Sequence, residues 1–205
     1  EMMAEALEIA KSSDVIIAAM GETAEFSGES ASRTNLDIPD VQKTLLMELM
    51  KLGKPVVLVL FAGRPLTLNW EQANVPAILD VWFGGSEAGY SIPDVLFGDV
   101  NPSGKLTTTF PQNVGQIPIY YNHKNTGRPL PEGKWFQKFR SNYLDVSNDP
   151  LYPFGYGLSY TIFEYGKLKV SSDKLKGAQT LTASIEVKNT GKVDGKEIVQ
   201  LYIRD

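Results

Sequence analysis

Three glutamates, Glu22, Glu25 and Glu29, lie close together in the first part of the chain. Two of them belong to the stretch "EFSGESASRTNL" (25–36), which follows an apolar run and is rich in serine, glycine and alanine. Carboxyl groups act as general acids and bases when their surroundings adjust their pKa. Because small neighbours let a loop project from a sheet, Glu29 could carry a reactive carboxyl. The ordinary interpretation, in which all three are solvated surface acids, stays open on this pattern alone.

The elements around these glutamates predict an α/β fold. Helix patterns separate three continuous apolar runs of strand length, which are "DVIIAAMG" (14–21), "KPVVLVLFAG" (54–63) and "AILDVWFGG" (77–85). Residues 38–53 form one such helix pattern, with Pro39 suited to its first turn and Gly53 to its end. This alternation predicts a mostly parallel sheet sandwiched by helices. Ligands of such sheets bind beyond the carboxyl ends of the strands, which is where the glutamates lie.

The pattern changes after residue 101. We expect an edge strand at "KLTTTFP" (105–111), and then a connection that is too long to be an ordinary loop. From residue 165 onward apolar residues alternate with polar ones, as in "QTLTASIEV" (179–187) and "EIVQLYIRD" (197–205). We therefore predict three parts: an α/β sandwich domain (1–111), a long loop and aromatic-rich connector (112–163), and an incomplete all-β sandwich (164–205). About three strands are expected in the last part, where a complete sandwich has about seven.

Composition excludes several classes of function. A net charge of −4 gives no basic surface for nucleic acid, and no apolar run reaches the length of a membrane helix. The chain has no cysteine and a single histidine, His123, so neither a thiolate site nor a multi-histidine metal centre is expected. The glycine-rich "FGGSEAGYS" (83–91) matches no phosphate-binding motif and is interpreted as a strand-to-helix turn.

The first residues, "EMMAEALEIAKSSD", lack the features of a secretory signal. They are typical of an amphipathic helix, with Met3, Leu7 and Ala10 on one face. A domain that opens within a helix, and a β-sandwich with too few strands, lead us to expect a fragment of a longer protein. The exposed strand edges of such a fragment would favour self-association into a homo-oligomer.

Four long blocks resemble, in their order, the C-terminal part of bacterial glycoside hydrolase family 3 β-glucosidases: "GETAEFSGESASRTNLDIP", "GKPVVLVLFAGRPL", "WFGGSEAGYSIPDVLFGDVNPSGKLTTTFP" and "LYPFGYGLSYTIF". The resemblance covers essentially the whole chain. It implies a barrel domain before this chain, then the α/β sandwich, and then a fibronectin type III-like domain that begins at about residue 164. It also implies a periplasmic or secreted protein.

The resemblance further implies a retaining, exo-acting β-glycosidase, in which a barrel aspartate is the nucleophile and a loop of the sandwich supplies the acid/base. The family's acid/base lies in a G-E-x-x-R-like segment, and "SGESASR" (27–33) matches it, with Glu29 at the catalytic position. Phe26, Ser27 and Ser30 are then expected on the aglycone side of the pocket. The expected partners are β-linked glucosides or oligosaccharides and the N-terminal barrel of the same polypeptide. Two carboxyl groups suffice for this chemistry, so no cofactor is expected.

Several alternatives remain at this point. Glu22 and Glu25 are second choices for the acid/base, and Arg33 is expected to anchor the loop through an ion pair or backbone carbonyls. Trp82 is expected to pack in the core, and His123 to lie on the surface. Activity on β-xylosides or α-arabinofuranosides occurs in the same family. For the function of the chain, the remaining alternative is a non-catalytic carbohydrate-binding or interaction module.

Overall fold

The computed structural model describes residues 2–125 and 127–204. The chain divides into two compact units. The first consists of Glu1–Gly89 with Leu106–Phe154, and the second of Tyr90–Lys105 with Gly155–Asp205.

The first unit contains a parallel three-stranded sheet with β2 (Val56–Phe61) at its centre. Its neighbours are β1 (Ile16–Gly21) and β3 (Ala77–Asp80). This confirms the predicted α/β fold, although each strand is shorter than its apolar run. All three strands run in one direction, so their carboxyl ends lie at one edge of the sheet.

Along the chain, helices alternate with these strands, as the apolar spacing predicts. They are α1 (Met2–Lys11), α2 (Asp40–Met50), α3 (Asn69–Asn74) and α4 (Ala88–Phe97), with single 3-10 turns at Ala24–Phe26 and Val114–Gln116. Pro39 is the N-cap of α2, and Gly53, just after this helix, has the left-handed φ of 69°. In the described part of the chain, no helix is both long and apolar enough to cross a membrane.

The hydrophobic core lies against β2, where Val56, Leu58 and Leu60 are almost completely buried. Burying one such side chain stabilises the fold by about 1.5–3 kcal/mol. Phe110 is also buried and makes an edge contact with the ring of Tyr152 and a tilted contact with Trp82. The expectation that Trp82 packs on the core is confirmed.

The strand predicted at 105–111 is wrong. Residues 105–109 adopt no strand, and pairing is limited to one antiparallel bridge between Phe110 and Tyr152. Two backbone hydrogen bonds close this bridge, from Phe110 N to Tyr152 O and from Leu151 N to Phe110 O, each 2.9 Å long. A strand needs a neighbouring strand along its length, and in this stretch only Phe110 is bridged to another segment of the described chain.

The backbone of Gly21, the last residue of β1, is hydrogen-bonded to a side chain of α2. The Gln42 amide of α2 accepts a hydrogen bond from Gly21 N at 2.7 Å and donates one to Gly21 O at 3.0 Å. Gly21 has a φ of 134°, and a Cβ at this position would lie 1.8 Å from the Phe61 carbonyl oxygen. Only glycine can therefore end β1 in this geometry.

The second unit contains two antiparallel strand pairs in addition to most of α4. β4 (Phe163–Tyr165) pairs with β7 (Val187–Asn189), and β5 (Lys169–Val170) pairs with β6 (Ala183–Ser184). The strand predicted at 197–205 is wrong for its described residues, because 197–204 form no regular element; Asp205 lies outside the described residues. The domain boundaries and the fibronectin type III-like assignment remain predictions.

Candidate active-site loop

The loop that leaves β1 contains a tight turn with Glu29 at its second position. Ala31 N donates a hydrogen bond of 3.1 Å to Gly28 O, which closes the turn over residues 28–31. Ser30, the third residue, has a φ of 63°, as a type II turn requires. Glu29 is exposed, and within the described residues its carboxylate makes no hydrogen bond or ion pair.

The backbone at Ser30 is strained, because residues other than glycine rarely adopt a positive φ. Such a conformation costs on the order of 1–3 kcal/mol and persists only where the surrounding structure imposes it. Strain of this kind is concentrated at functional sites. The strained residue here is the immediate neighbour of Glu29, the candidate acid/base.

A buried carboxylate holds the base of this loop. The Glu22 side chain is completely inaccessible and accepts hydrogen bonds from Arg33 Nη1 at 2.8 Å and from Gly63 N at 3.2 Å. Arg64 Nε lies 3.2 Å from Oε1 and 3.3 Å from Oε2 of the same carboxylate. These donors come from the returning end of the loop after β1 and from the loop after β2. We call Glu22, Arg33, Gly63 and Arg64 the Glu22 clamp.

Both arginines of the Glu22 clamp also hold other parts of the loop. Arg33 Nη2 donates to Asp37 O at 3.2 Å, and its guanidinium carbon lies 5.2 Å from the centre of the Phe26 ring. Arg64 Nη2 donates to the Phe26 carbonyl oxygen. The predicted anchoring role of Arg33 is confirmed, since both an ion pair and a backbone carbonyl are used.

The predicted aglycone-side residues fall in two places on the loop. Phe26 is 40% exposed, and Ser27 is half-buried against the loop after β2. A Cβ at Gly63 would lie only 2.0 Å from Ser27 Oγ, so the Gly63 backbone packs closely against the Ser27 side chain. Ser30 lies at the tip beside Glu29 and is exposed. The structure therefore joins Phe26 and Ser27 to the Glu22 clamp and leaves Glu29 and Ser30 projecting.

Glu22 and Glu25 differ from Glu29 in ways that bear on the choice of acid. Both oxygens of Glu22 are engaged and shielded from solvent, so this carboxylate cannot reach a ligand. Glu25 is exposed, and hydrogen bonds from the Thr23 side chain and from its own backbone amide lower its pKa. A lowered pKa favours the ionised form, which suits a general acid poorly. Of the three, Glu29 has the geometry of an available acid.

Asp80, at the carboxyl end of β3, is an unusual carboxylate that sequence reasoning missed. Burial raises its pKa to about 6, although a weak hydrogen bond from Trp82 N acts in the opposite direction. This bond, to Oδ1, is 3.4 Å long, and Oδ2 is buried without a hydrogen-bond partner among the described residues. The signal in the sequence is an aspartate inside the apolar run "AILDVWFGG" (77–85).

A second buried carboxylate, Glu71 on α3, was also missed. Its side chain is fully buried, Lys43 Nζ lies 3.7 Å from Oε1, and neither oxygen has a hydrogen-bond partner in the described part of the chain. Burial raises the pKa of Glu71, and the Lys43 charge opposes this rise. Lys43 lies in the wall of an open cavity of about 480 Å³.

The remaining site expectations concern metals and His123. Among residues 2–125 and 127–204, no group of three or more acidic or histidine side chains is arranged to hold a metal ion. His123 is exposed, and its Nδ1 lies 3.1 Å from Tyr120 O. This confirms the expectation of a surface histidine.

Comparison with known proteins gives one consistent result. The chain is 50% identical over 204 residues to the periplasmic β-glucosidase of Salmonella typhimurium, covering 100% of this chain and 26% of that protein. It is 44% identical over 201 residues to a β-xylosidase of Formosa agariphila, covering 98% of this chain and 27% of that protein. The crystal structure of the Listeria innocua β-glucosidase in complex with glucose superposes with a TM-score of 0.86 at 41% identity, over 94% of this chain and 27% of that one.

The chain therefore spans about a quarter of the length of the relatives that it matches. The sequence profile of the glycosyl hydrolase family 3 C-terminal domain matches residues 1–160, which is most of the chain and includes the whole Glu29 loop. The α/β fold and the loop described above thus belong to the matched part. This chain is a member of the glycosyl hydrolase family 3 C-terminal domain family.

Proposed function

We propose that this chain is the C-terminal part of a retaining, exo-acting β-glucosidase and that Glu29 is its general acid/base. The observation that carries the proposal is the Glu29 carboxyl itself. Among the described residues it has no partner, and it projects from a strained turn at the carboxyl edge of the sheet, on a loop whose base is fixed by a buried ion-pair cluster. A carboxyl held in this way is available to a second domain.

The chemistry requires two carboxyl groups about 5–5.5 Å apart. The nucleophilic carboxylate attacks the anomeric carbon, while Glu29 transfers its proton to the glycosidic oxygen as the bond to the aglycone breaks. In the second step the Glu29 carboxylate removes a proton from water, whose oxygen displaces the nucleophile and releases the sugar. Microscopic reversibility gives Glu29 both roles in turn.

The nucleophile, on this proposal, belongs to an N-terminal barrel domain of the same polypeptide. Docking of that domain would place Glu29 beside the second carboxylate that the two-step chemistry requires. Residues 1–205 alone, without the barrel and its nucleophile, are expected to be inactive.

Phe26, Ser27 and Ser30 are proposed to shape the aglycone side of the pocket. One face of the Phe26 ring carries the Arg33 guanidinium, and 40% of the side chain remains exposed. An exposed ring with a fixed orientation suits stacking on a sugar. Ser30 lies beside Glu29, where its hydroxyl could bind the aglycone.

The proposed substrates are β-linked glucosides or short oligosaccharides, since relatives named β-glucosidase include those from Salmonella typhimurium and Listeria innocua. The name of the first of these relatives also favours the periplasm, or secretion, as the location. A homo-oligomer remains a proposal from the exposed apolar residues of the second unit. β-Xylosidase activity is the second candidate, because a relative with 44% identity carries that name.

The experiment compares wild type with Glu29→Ala in the full-length enzyme. We expect turnover of a disaccharide to fall by about 10²–10⁴-fold, while an activated aryl β-glucoside, whose leaving group needs little protonation, is much less affected in the glycosylation step. Azide should restore turnover of the activated aryl β-glucoside and yield a β-glycosyl azide. Activity on aryl xyloside relative to aryl glucoside decides between the two candidate sugars.

Glu25→Ala is the matched control, because Glu25 is another exposed glutamate of the same loop. We expect it to retain activity on both substrates and to show no azide product. If the Glu29→Ala variant hydrolysed the disaccharide as fast as the wild type, the assignment of Glu29 would be refuted. A leaving-group-dependent loss in Glu25→Ala instead would transfer the role to Glu25.

A further inference from the structure

We propose that Glu22 is a positioning residue for the acid/base, and that its buried carboxylate fixes where the Glu29 turn stands. This inference rests on the proposed role of Glu29. Glu22 touches neither substrate nor reacting atoms in this proposal. It acts through the backbone that it holds.

The geometry ties Glu22 to the sheet on one side and to the loop on the other. Its backbone N donates to Phe61 O at 2.7 Å, which extends the β1–β2 ladder by one step. Its side chain binds Arg33 at 2.8 Å, four residues after Glu29 in the chain. The turn that carries Glu29 is thus closed between two points, Glu22 and Arg33, that are joined to each other.

Arg64 adds a third fixed point. It contacts the Glu22 carboxylate through Nε and donates through Nη2 to the carbonyl oxygen of Phe26, three residues before Glu29. Gly63 N, from the same loop after β2, also donates to Glu22. One carboxylate therefore joins three segments of chain, and the loop cannot shift without breaking contacts at all three.

The electrostatics make this arrangement depend on the Glu22 charge. The Arg33 and Arg64 side chains are each only 19% exposed and converge on one carboxylate. Removing one partner of a buried pair leaves uncompensated charge. In Glu22→Gln the two guanidinium groups would repel each other, and an amide NH₂ would replace one acceptor oxygen. The loop would relax away from β2 and carry Glu29 with it.

Misplacement of a catalytic group by about 1 Å can reduce turnover on the order of 10²-fold. A displaced acid harms substrates that need protonation and spares those that do not. In the full-length enzyme we expect Glu22→Gln to lower kcat/KM, which reports the glycosylation step, about 10²-fold for an alkyl β-glucoside and less than about tenfold for 2,4-dinitrophenyl β-glucoside. Glu22→Asp, which keeps the charge, should recover part of the loss.

A double variant separates positioning from a general structural effect. If Glu22 acts only through Glu29, then Glu22→Gln combined with Glu29→Ala should be no slower on the alkyl glucoside than Glu29→Ala alone. Glu71→Gln is the matched control, because Glu71 is another fully buried glutamate of the same unit and is paired with Lys43. It should alter thermal stability without changing the ratio between the two substrates.

Two results would overturn the inference while leaving the role of Glu29 intact: equal losses on both substrates in Glu22→Gln, or losses that multiply in the double variant. A Glu29→Ala enzyme with no leaving-group dependence would overturn both proposals. If Glu22→Gln does not fold, Arg64→Lys keeps the positive charge but loses the contact with the Phe26 carbonyl oxygen. A loss confined to the alkyl glucoside supports the inference in that variant too, and equal losses on both substrates contradict it.

Discussion

Replacing Asp80 with asparagine should stabilise the first unit at neutral pH and leave its stability nearly unchanged in acid. Burial raises the Asp80 pKa from 3.8 to about 6. Each pKa unit corresponds to about 1.36 kcal/mol, so the ionised carboxylate costs the folded state up to about 3 kcal/mol. Asparagine has nearly the same shape and carries no charge at any pH, which removes this cost.

The sign of the pH dependence follows from the direction of the shift. Below pH 3.8 Asp80 is protonated in both the folded and the unfolded state, and no cost arises. As the pH rises towards about 6, the unfolded state ionises first and the folded state loses relative stability. Above about 6 the loss is complete. The gain from Asp80→Asn should therefore be near zero at pH 4 and greatest above pH 7.

Amide hydrogen exchange of peptides covering residues 77–83 measures this local stability in the full-length protein. Wild type and variant are compared at one pH, so that intrinsic exchange rates cancel. At pH 7.5 we expect these amides to exchange up to about 10²-fold more slowly in Asp80→Asn, since a tenfold change corresponds to about 1.4 kcal/mol.

Asp145→Asn is the control, because Asp145 is exposed in the same unit and should give no change at either pH. Unchanged or faster exchange in Asp80→Asn at pH 7.5 would refute the reasoning. It would mean that the buried carboxylate is compensated in the folded state. Equal gains at pH 4 and pH 7.5 would exclude titration of Asp80 as the cause.

Two further predictions concern the core and the loop. Leu58→Ala should reduce the free energy of unfolding by about 2–5 kcal/mol in chemical denaturation, because Leu58 is fully buried on the central strand; Ile17→Ala, at a position 48% exposed, should cost much less, and equal costs would contradict the assigned core. Gly63→Ala should reduce turnover of an alkyl β-glucoside more than that of an activated one, because its Cβ would lie 2.0 Å from Ser27 Oγ. Adding Ser27→Ala removes the clashing oxygen and should restore part of the activity; a double variant as slow as Gly63→Ala would contradict this explanation.

The parts of the structure that depend on local periodicity could be predicted from sequence. The strand runs at 14–21 and 54–63 and the helix pattern at 38–53 each coincide with an observed element. Burial of continuous apolar runs between amphipathic helices leaves few other arrangements. The position of Glu29 on an exposed loop also agrees with its small, flexible neighbours.

The Glu22 clamp could not be predicted in the same way. Arg33 and Arg64 follow Glu22 by 11 and 42 residues, and only the pairing of β1 with β2 brings the three together. Nor does any local rule place a serine at a φ of 63°, because glycine or asparagine is the residue expected there. Charge partners and strain are properties of the assembled sheet.

The two incorrect strands failed for a related reason. An alternating pattern shows which residues can share a face, but a strand forms only where another strand lies beside it. Residues 197–204 have this pattern, and neither they nor residues 105–109 have a strand paired with them in the described part of the chain.

The pairing of Gly21 with Phe61 determines how an error in strand register would affect activity. In a sheet, a slip of one residue turns every side chain to the opposite face. A slipped β1 would point the carboxylate of Glu22 away from Arg64, and the turn with Glu29 would lose its support. A molecule with a misaligned sheet could still be compact and soluble, and yet it would be inactive. Specific activity per mole of soluble protein would then report the fraction of molecules whose strands have paired in the correct alignment.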